Sequence, residues 1–300
     1  MSSLRRAAKP RVRIAALAIA VAAMAAAGLE AAEPTVHYNL EYAQREGAAA
    51  RATSLDLYVP PEAKQAPIVV WIHGGGWRRG DKRMVSSKPA YFCNRGMILA
   101  SINYRLTPAT DVRGEATDVA DAIHWLVEHA KEYGGDPKQI ILIGHSAGAH
   151  LAALVATDHE YLKNAGVDPA DIRGVILLDG AGYNVERQIK ESRLPALRNL
   201  YLNAFGHDPD EWQALSPLLH VEENRTYPPV LILYVNSRRD STAQSVALSE
   251  RLREVGSQAE AIGYDEKSHA TINREFGLPD DQPTEAASKF LEKMIARPTP

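Results

Sequence analysis

The sequence predicts an α/β fold with a mostly parallel central sheet. Two observations carry this. Short continuous apolar runs recur along the chain, and amphipathic helical patterns separate them. The runs are Ile68–Ile72, Met97–Ile102, Ile140–Ile143, Val175–Leu178 and Val230–Val235. A run without polar alternation suits a strand covered on both faces, as in a parallel sheet. Alternation of such strands with helices gives helices on both faces of the sheet.

The first two strands read differently. Val36, Tyr38, Leu40 and Tyr42 alternate with polar or small residues, and so do Leu55, Leu57 and Val59. This pattern predicts an antiparallel hairpin at a sheet edge, half-exposed, ended by Pro60-Pro61. The clearest helix places Ala116, Val119, Ala120, Ile123, Leu126, Val127 and Ala130 on one face, and Gly134-Gly135 stops it. Further helices are expected from Ser146 to about Thr157, from about Ser241 to Val255 and from about Thr284 to Ala296. Residues 182–227 carry no strand pattern. They read as a short helical insertion after the sixth strand, over the active-site end of one domain spanning 33–300.

The chain has 300 residues, 45% hydrophobic and 24% charged, with a net charge of −3. It is long enough to bury a full core without staples. A mean hydropathy of −0.26 argues against a polytopic membrane protein. The acidic balance argues against a nucleic-acid-binding surface. Cys93 is the single cysteine, so neither an internal disulfide nor a cysteine-based zinc site is available. It reads as a small buried residue of a helix.

Residues 1–32 read as a signal peptide. Arg5, Arg6, Lys9, Arg11 and Arg13 precede an apolar run from Ile14 to Leu29, in which nine of sixteen residues are alanine. The run is slightly long for a signal core, so an uncleaved anchor is the rival. Alanine-rich and under about 20 residues, it is a poor membrane span. Export to a periplasm or to the medium is therefore expected, with no membrane association after cleavage. The mature chain would hold 29 Lys and Arg against 36 Asp and Glu, a balance of −7.

Two glycine motifs carry the chemistry. Gly144-His145-Ser146-Ala147-Gly148 follows a buried strand and opens an apolar helix. This is G-x-S-x-G in its strand–turn–helix context, which lifts a serine hydroxyl above the sheet edge. It also leaves the Ala147 amide at a helix N-terminus, where backbone N–H groups are free. His73-Gly74-Gly75-Gly76-Trp77 follows the strand Ile68–Ile72. Its bare backbone suits an oxyanion hole, which needs preorganised donors. A phosphate loop is the rival, but Asp81-Lys82 stands where that motif needs Gly-Lys-Ser/Thr.

A serine nucleophile needs a base, and the base an acid. Behind such an elbow the chain order is Ser, then Asp or Glu, then His. Asp240 follows Val230–Val235 within Asn236-Ser237-Arg238-Arg239-Asp240, and His269 follows the strand-like run Ala259–Tyr264. Both are expected at carboxyl ends of strands beside Ser146. Asp240 is the expected acid and His269 the expected base. Asp179 also ends a strand and is the reserve acid. His207 and His220 fall inside the insertion. His124 and His129, five apart, share no helix face for a metal.

With these motifs in order, together with Tyr104-Arg105-Leu106 after the fourth strand, the chain resembles the α/β-hydrolase superfamily. Within it, residues from about Val36 to Ala296 are similar to the esterase branch of hormone-sensitive-lipase-like carboxylesterases and bacterial feruloyl esterases. The resemblance implies the α/β-hydrolase fold and oxyanion donors at Gly75, Gly76 and Ala147. His145 stands where hormone-sensitive lipases commonly carry Asp, and Ala149 where Gly is common. These features lie closer to the feruloyl-esterase and arylformamidase groups. Long N-terminal lid helices have no room before the first strand, so a lipase for long-chain fats is not expected.

The sequence thus predicts an exported serine hydrolase for esters of small or aryl acyl groups, needing no cofactor or metal. Ser146, Asp240 and His269 are catalytic, and Trp77 and His145 are expected at the substrate. Tyr183, Tyr201, Phe205 and Trp212 of the insertion could line an acyl pocket. Its partner is a small-molecule ester, and its oligomeric state is open. An arylformamidase-type amidase, a serine peptidase on the same fold and a non-catalytic binding domain are the alternatives.

Overall fold

A computed structural model describes residues 33–296. The expected signal peptide lies outside the described residues. The strands are β1 (Thr35–Glu41), β2 (Ser54–Val59), β3 (Ala66–Ile72), β4 (Ile98–Ile102), β5 (Gly135–His145), β6 (Ile172–Leu178), β7 (Val230–Val235) and β8 (Ala259–Tyr264). They form one sheet in the order β1-β2-β4-β3-β5-β6-β7-β8. β1 pairs antiparallel with β2, and β2 with β4; all other pairings are parallel.

The helices are α1 (Lys88–Cys93), α2 (Val112–His129), α3 (Ala147–Thr157), α4 (His159–Asn164), α5 (Val185–Glu191), α6 (Pro195–Phe205), α7 (Pro209–Ala214), α8 (Arg239–Glu254), α9 (Thr271–Arg274) and α10 (Gln282–Ile295). Strand alternation feeds two cores. Ile68, Val70 and Ile72 face a core shared with α2, α3 and α8. Val69 and Trp71 face the other, with α1 and α10. All five are fully buried, and each such side chain stabilises the fold by about 1.5–3 kcal/mol.

The expected strands are present, with two differences. β2 is buried almost throughout rather than half-exposed, because β1 and β4 flank it and Asp56 pairs inside with Lys82. β5 begins earlier than its apolar run, because Gly135 already pairs with Ala66 of β3. α2 starts on an Asp111 cap, whose carboxylate accepts from the Gly114 amide at 2.7 Å. The glycine stop holds: after one 3-10 turn, Gly134 adopts φ 79°. Residues 182–227 contain α5, α6 and α7 and no strand, as expected.

Glu115 of α2 is fully buried. One oxygen accepts from the Thr107 amide (3.2 Å) and hydroxyl (3.1 Å); the other has no partner among the described residues. Burial pushes its carboxyl up to about 9, against the opposing pull of the Thr107 hydrogen bonds. A raised folded pKa means the native state holds a proton that the unfolded chain releases above about pH 4.3. Stability from this group is therefore complete in acid and falls as pH rises toward 9. Glu115→Gln, which keeps the accepting oxygen, should remove that loss. We expect a gain on the order of a few kcal/mol at pH 8 and little at pH 4, read by urea denaturation at both pH values.

Candidate active site

Ser146 sits at the turn from β5 into α3 with φ 56° and ψ −119°, a strained conformation for a residue bearing Cβ. The turn is held by close packing. A Cβ on Gly148 would lie 2.1 Å from the Ile72 carbonyl oxygen, so α3 can approach β3 only with glycine there. The Ser146 amide donates to Leu178 at 3.0 Å, tying the turn to β6.

His269, in the loop before α9, places Nε2 3.0 Å from Ser146 Oγ. Its Nδ1 lies 2.7 Å from Asp179 Oδ2. Asp179 is fully buried at the end of β6 and has φ 45°. Its Oδ1 accepts from Ser241 Oγ (2.9 Å) and the Val235 amide (3.2 Å). Burial alone would raise its carboxyl. The His269 hydrogen bond and the Arg238 charge outweigh burial and hold it below the ordinary carboxylate value.

The expected acid is thus corrected: Asp179, not Asp240, meets His269. Only Asn236, Ser237 and Arg238 separate β7 from α8, so Asp240 is carried into the first turn of that helix. There its carboxylate faces Gln188 Nε2 of α5 at 3.4 Å. β6 lies directly beside β5, and its end presents Asp179 within reach of His269. Arg238 fills the place expected for the acid. Its Nη1 ion-pairs with Asp179 Oδ2, donates to the Asp179 carbonyl (3.1 Å) and lies 2.8 Å from His269 Nδ1. Arg238 is not among the site residues expected from the sequence; its only signal there is an arginine pair separated from a buried strand by two residues.

The glycine run lines the same cavity. Gly75 adopts φ 138°, and a Cβ there would meet the Arg79 carbonyl oxygen at 1.9 Å. The Gly75 and Gly76 amides donate to no acceptor among the described residues, and Ala147 is the first residue of α3. All three residues named in the sequence expectation line the cavity that holds Ser146. The run is anchored from below. Tyr104 donates its hydroxyl to the His73 carbonyl (2.8 Å), and its ring stacks on His73 at 4.4 Å. Burial lowers the His73 ring to about 4, so it is neutral and its Nδ1 donates to the Gly74 carbonyl at 2.9 Å. Arg105 forks onto buried Asp118 of α2 with two contacts of 2.8 Å.

The cavity above Ser146 measures about 630 Å³, and Trp77, Leu197, Leu200 and Tyr201 give it an apolar wall. Trp77 is held edge-on by His150 (5.4 Å) and Phe205 (4.7 Å). Of the four insertion aromatics, Tyr201 lines this cavity; Tyr183, Phe205 and Trp212 are buried outside its lining. His145 also lines it, but its ring serves His269. Burial drives the ring down to about 3, with His269 and its own hydrogen bond as lesser influences. The neutral Nε2–H donates to the His269 carbonyl at 2.9 Å. His145 therefore fixes the loop that carries His269.

The BD-FAE family model matches residues 55–252. The esterase LipQ of Mycobacterium tuberculosis is 29% identical over 270 residues, covering 84% of this chain and 62% of LipQ. A probable isoprenylcysteine alpha-carbonyl methylesterase of Oryza sativa subsp. japonica is 28% identical over 232 residues, covering 73% and 54%. The chain thus spans a little over half the length of such curated relatives. Among solved structures, butyrate-bound esterase Est2 of Thermogutta terrifontis superposes with a TM-score of 0.68 at 24% identity, covering 88% of this chain and 95% of that one. A truncated carbohydrate esterase from gut microbiota gives a TM-score of 0.73 at 22% identity, covering 89% and 99%. At these identities the likeness is one of fold.

Proposed function

Because this chain belongs to the BD-FAE family, we propose that it is a serine carboxylesterase acting through Ser146, His269 and Asp179. The observation that carries this reading is the continuous relay from Ser146 Oγ to His269 Nε2 (3.0 Å) and from His269 Nδ1 to Asp179 (2.7 Å). His269 takes the hydroxyl proton as Ser146 attacks the ester carbonyl. Asp179 holds the Nδ1–H tautomer and stabilises the imidazolium. The amides of Gly75, Gly76 and Ala147 receive the negative charge on the tetrahedral oxygen. His269 then protonates the departing alcohol, and in the second half it activates water against the acyl-enzyme. The apolar wall of the 630 Å³ cavity suits small or aryl acyl groups.

The basic and then apolar start of the chain supports export of this enzyme. One experiment addresses both proposals. A fluorophosphonate probe should label the protein stoichiometrically at Ser146 and leave Ser146→Ala unlabelled. Applied to fractionated cells, it should find the labelled band outside the cytoplasm, with an N-terminus near residue 33. An unlabelled, folded wild-type protein would leave the hydrolase reading without support. A full-length cytoplasmic band would overturn export alone.

A further inference from the structure

We propose that the cavity beside the active site is a subsite for a carboxylate carried by the substrate; this rests on the esterase reading above. The cavity measures about 730 Å³ and shares Ala181, Leu197, Tyr201 and Arg238 with the cavity over Ser146. The two cavities are therefore neighbours, and in this proposal a ligand held at Ser146 lies across both.

Its lining is cationic in a chain whose net charge is −3. Arg187, Arg193, Arg238 and Arg239 line it, against Glu191 and Asp240. Two of the arginines are engaged. Arg187 donates to Glu191 at 2.9 Å, and Arg238 ion-pairs with buried Asp179. Asp240 faces Gln188. Arg193 and Arg239 are exposed and have no acceptor among the described residues. Four guanidinium groups against three carboxylates, Asp179 included, leave a surplus of one positive charge. That surplus suits a single carboxylate better than a dianion. A guanidinium offers paired N–H donors at the spacing of carboxylate oxygens, so recognition would be directional as well as electrostatic. Gln188, buried in the same wall, keeps Oε1, an acceptor, without a partner among the described residues. This wall is thus polar, unlike the apolar wall of Trp77, Leu197, Leu200 and Tyr201 over Ser146.

The test compares matched esters at low ionic strength. On the acyl side, 4-nitrophenyl hemiglutarate is set against 4-nitrophenyl valerate. On the alcohol side, 4-acetoxybenzoate is set against 4-acetoxybenzamide. In at least one pair the anionic member should show kcat/KM higher by about ten-fold, the scale of one charge-assisted hydrogen bond. The pair identifies which side of the ester enters the subsite. The Arg193→Gln/Arg239→Gln double variant should bring that ratio close to one, whereas Arg253→Gln, remote and exposed, should not. No anionic preference in either pair, or a preference that survives the double variant, overturns the proposal. A turnover-free arm separates this from the esterase reading. Monomethyl glutarate and 4-acetoxybenzoate are titrated calorimetrically into Ser146→Ala protein. Binding of either that the arginine substitutions abolish supports the subsite; binding of neither refutes it.

Discussion

Asp179→Asn should lower kcat on 4-nitrophenyl acetate by about 10⁴-fold, while Asp240→Asn should change it by no more than a few-fold. An asparagine at 179 can turn its amide N–H toward His269. Nδ1 must then accept, which puts the ring proton on Nε2, facing the serine it should deprotonate. The oxyanion donors survive this change, so residual turnover should remain above that of water. Asp240 lies against Gln188 of the insertion and touches neither His269 nor Ser146. A thermal melt of each variant separates lost chemistry from lost fold. Arg238 is 30% exposed, so it can turn to solvent when its buried partner loses charge. If Asp240→Asn were the crippling change and Asp179→Asn the mild one, the relay assigned here would be wrong.

Gly148→Ala should cost more than 3 kcal/mol of stability and at least about 10³-fold in turnover. One methyl group is added, yet its carbon falls 2.1 Å from the Ile72 carbonyl oxygen and 2.5 Å from that of His73. Neither oxygen can retreat. β3 is hydrogen-bonded on both sides, to β4 and β5, and the glycine run begins at its end. Relief must come from α3, and moving α3 shifts Ser146 away from His269 and the Ala147 amide away from the Gly75 and Gly76 amides. Gly256→Ala provides the comparison. Its φ is 84° but the space around it is open, so only the backbone cost of about 1 kcal/mol applies. Denaturant midpoints and 4-nitrophenyl acetate turnover measure both variants. A Gly148→Ala protein indistinguishable from wild type would contradict the packing described for the elbow.

Much of this arrangement is legible in the chain because it is local. The apolar runs of β3 to β7 reflect burial on two faces, and the elbow is five consecutive residues whose glycines answer to contacts within the turn and with β3. His269 is legible because it alone follows the last strand-like run. The acid is a different kind of question. Asp179 and Asp240 each follow a buried strand, and residue order cannot rank them. What decides is the turn after β7, which passes into α8 after three residues and lifts Asp240 toward the insertion. Arg238 is hidden for the same reason: its importance comes from facing Asp179, 59 positions away. The role of His145 is likewise set by the backbone of a residue 124 positions on.

Lys82 and Asp56 form a buried ion pair just beyond the glycine run, and Lys82 is further held through Asn39 (2.8 Å), Asn103 (2.7 Å) and Ser101 (2.6 Å). With the Tyr104 hydroxyl on His73, the segment 73–82 is clamped at both ends before any ester arrives. If the Gly75 and Gly76 amides serve as proposed, the electric field they project is fixed when the chain folds, rather than assembled at each turnover. Little dipole reorientation is left to accompany the build-up of charge on the carbonyl oxygen. In the mechanism proposed above, the same clamp makes catalytic competence a property of the β1–β2–β4 edge of the sheet, at some remove from the serine itself. Sequence drift along that edge would be constrained by chemistry that none of its residues performs.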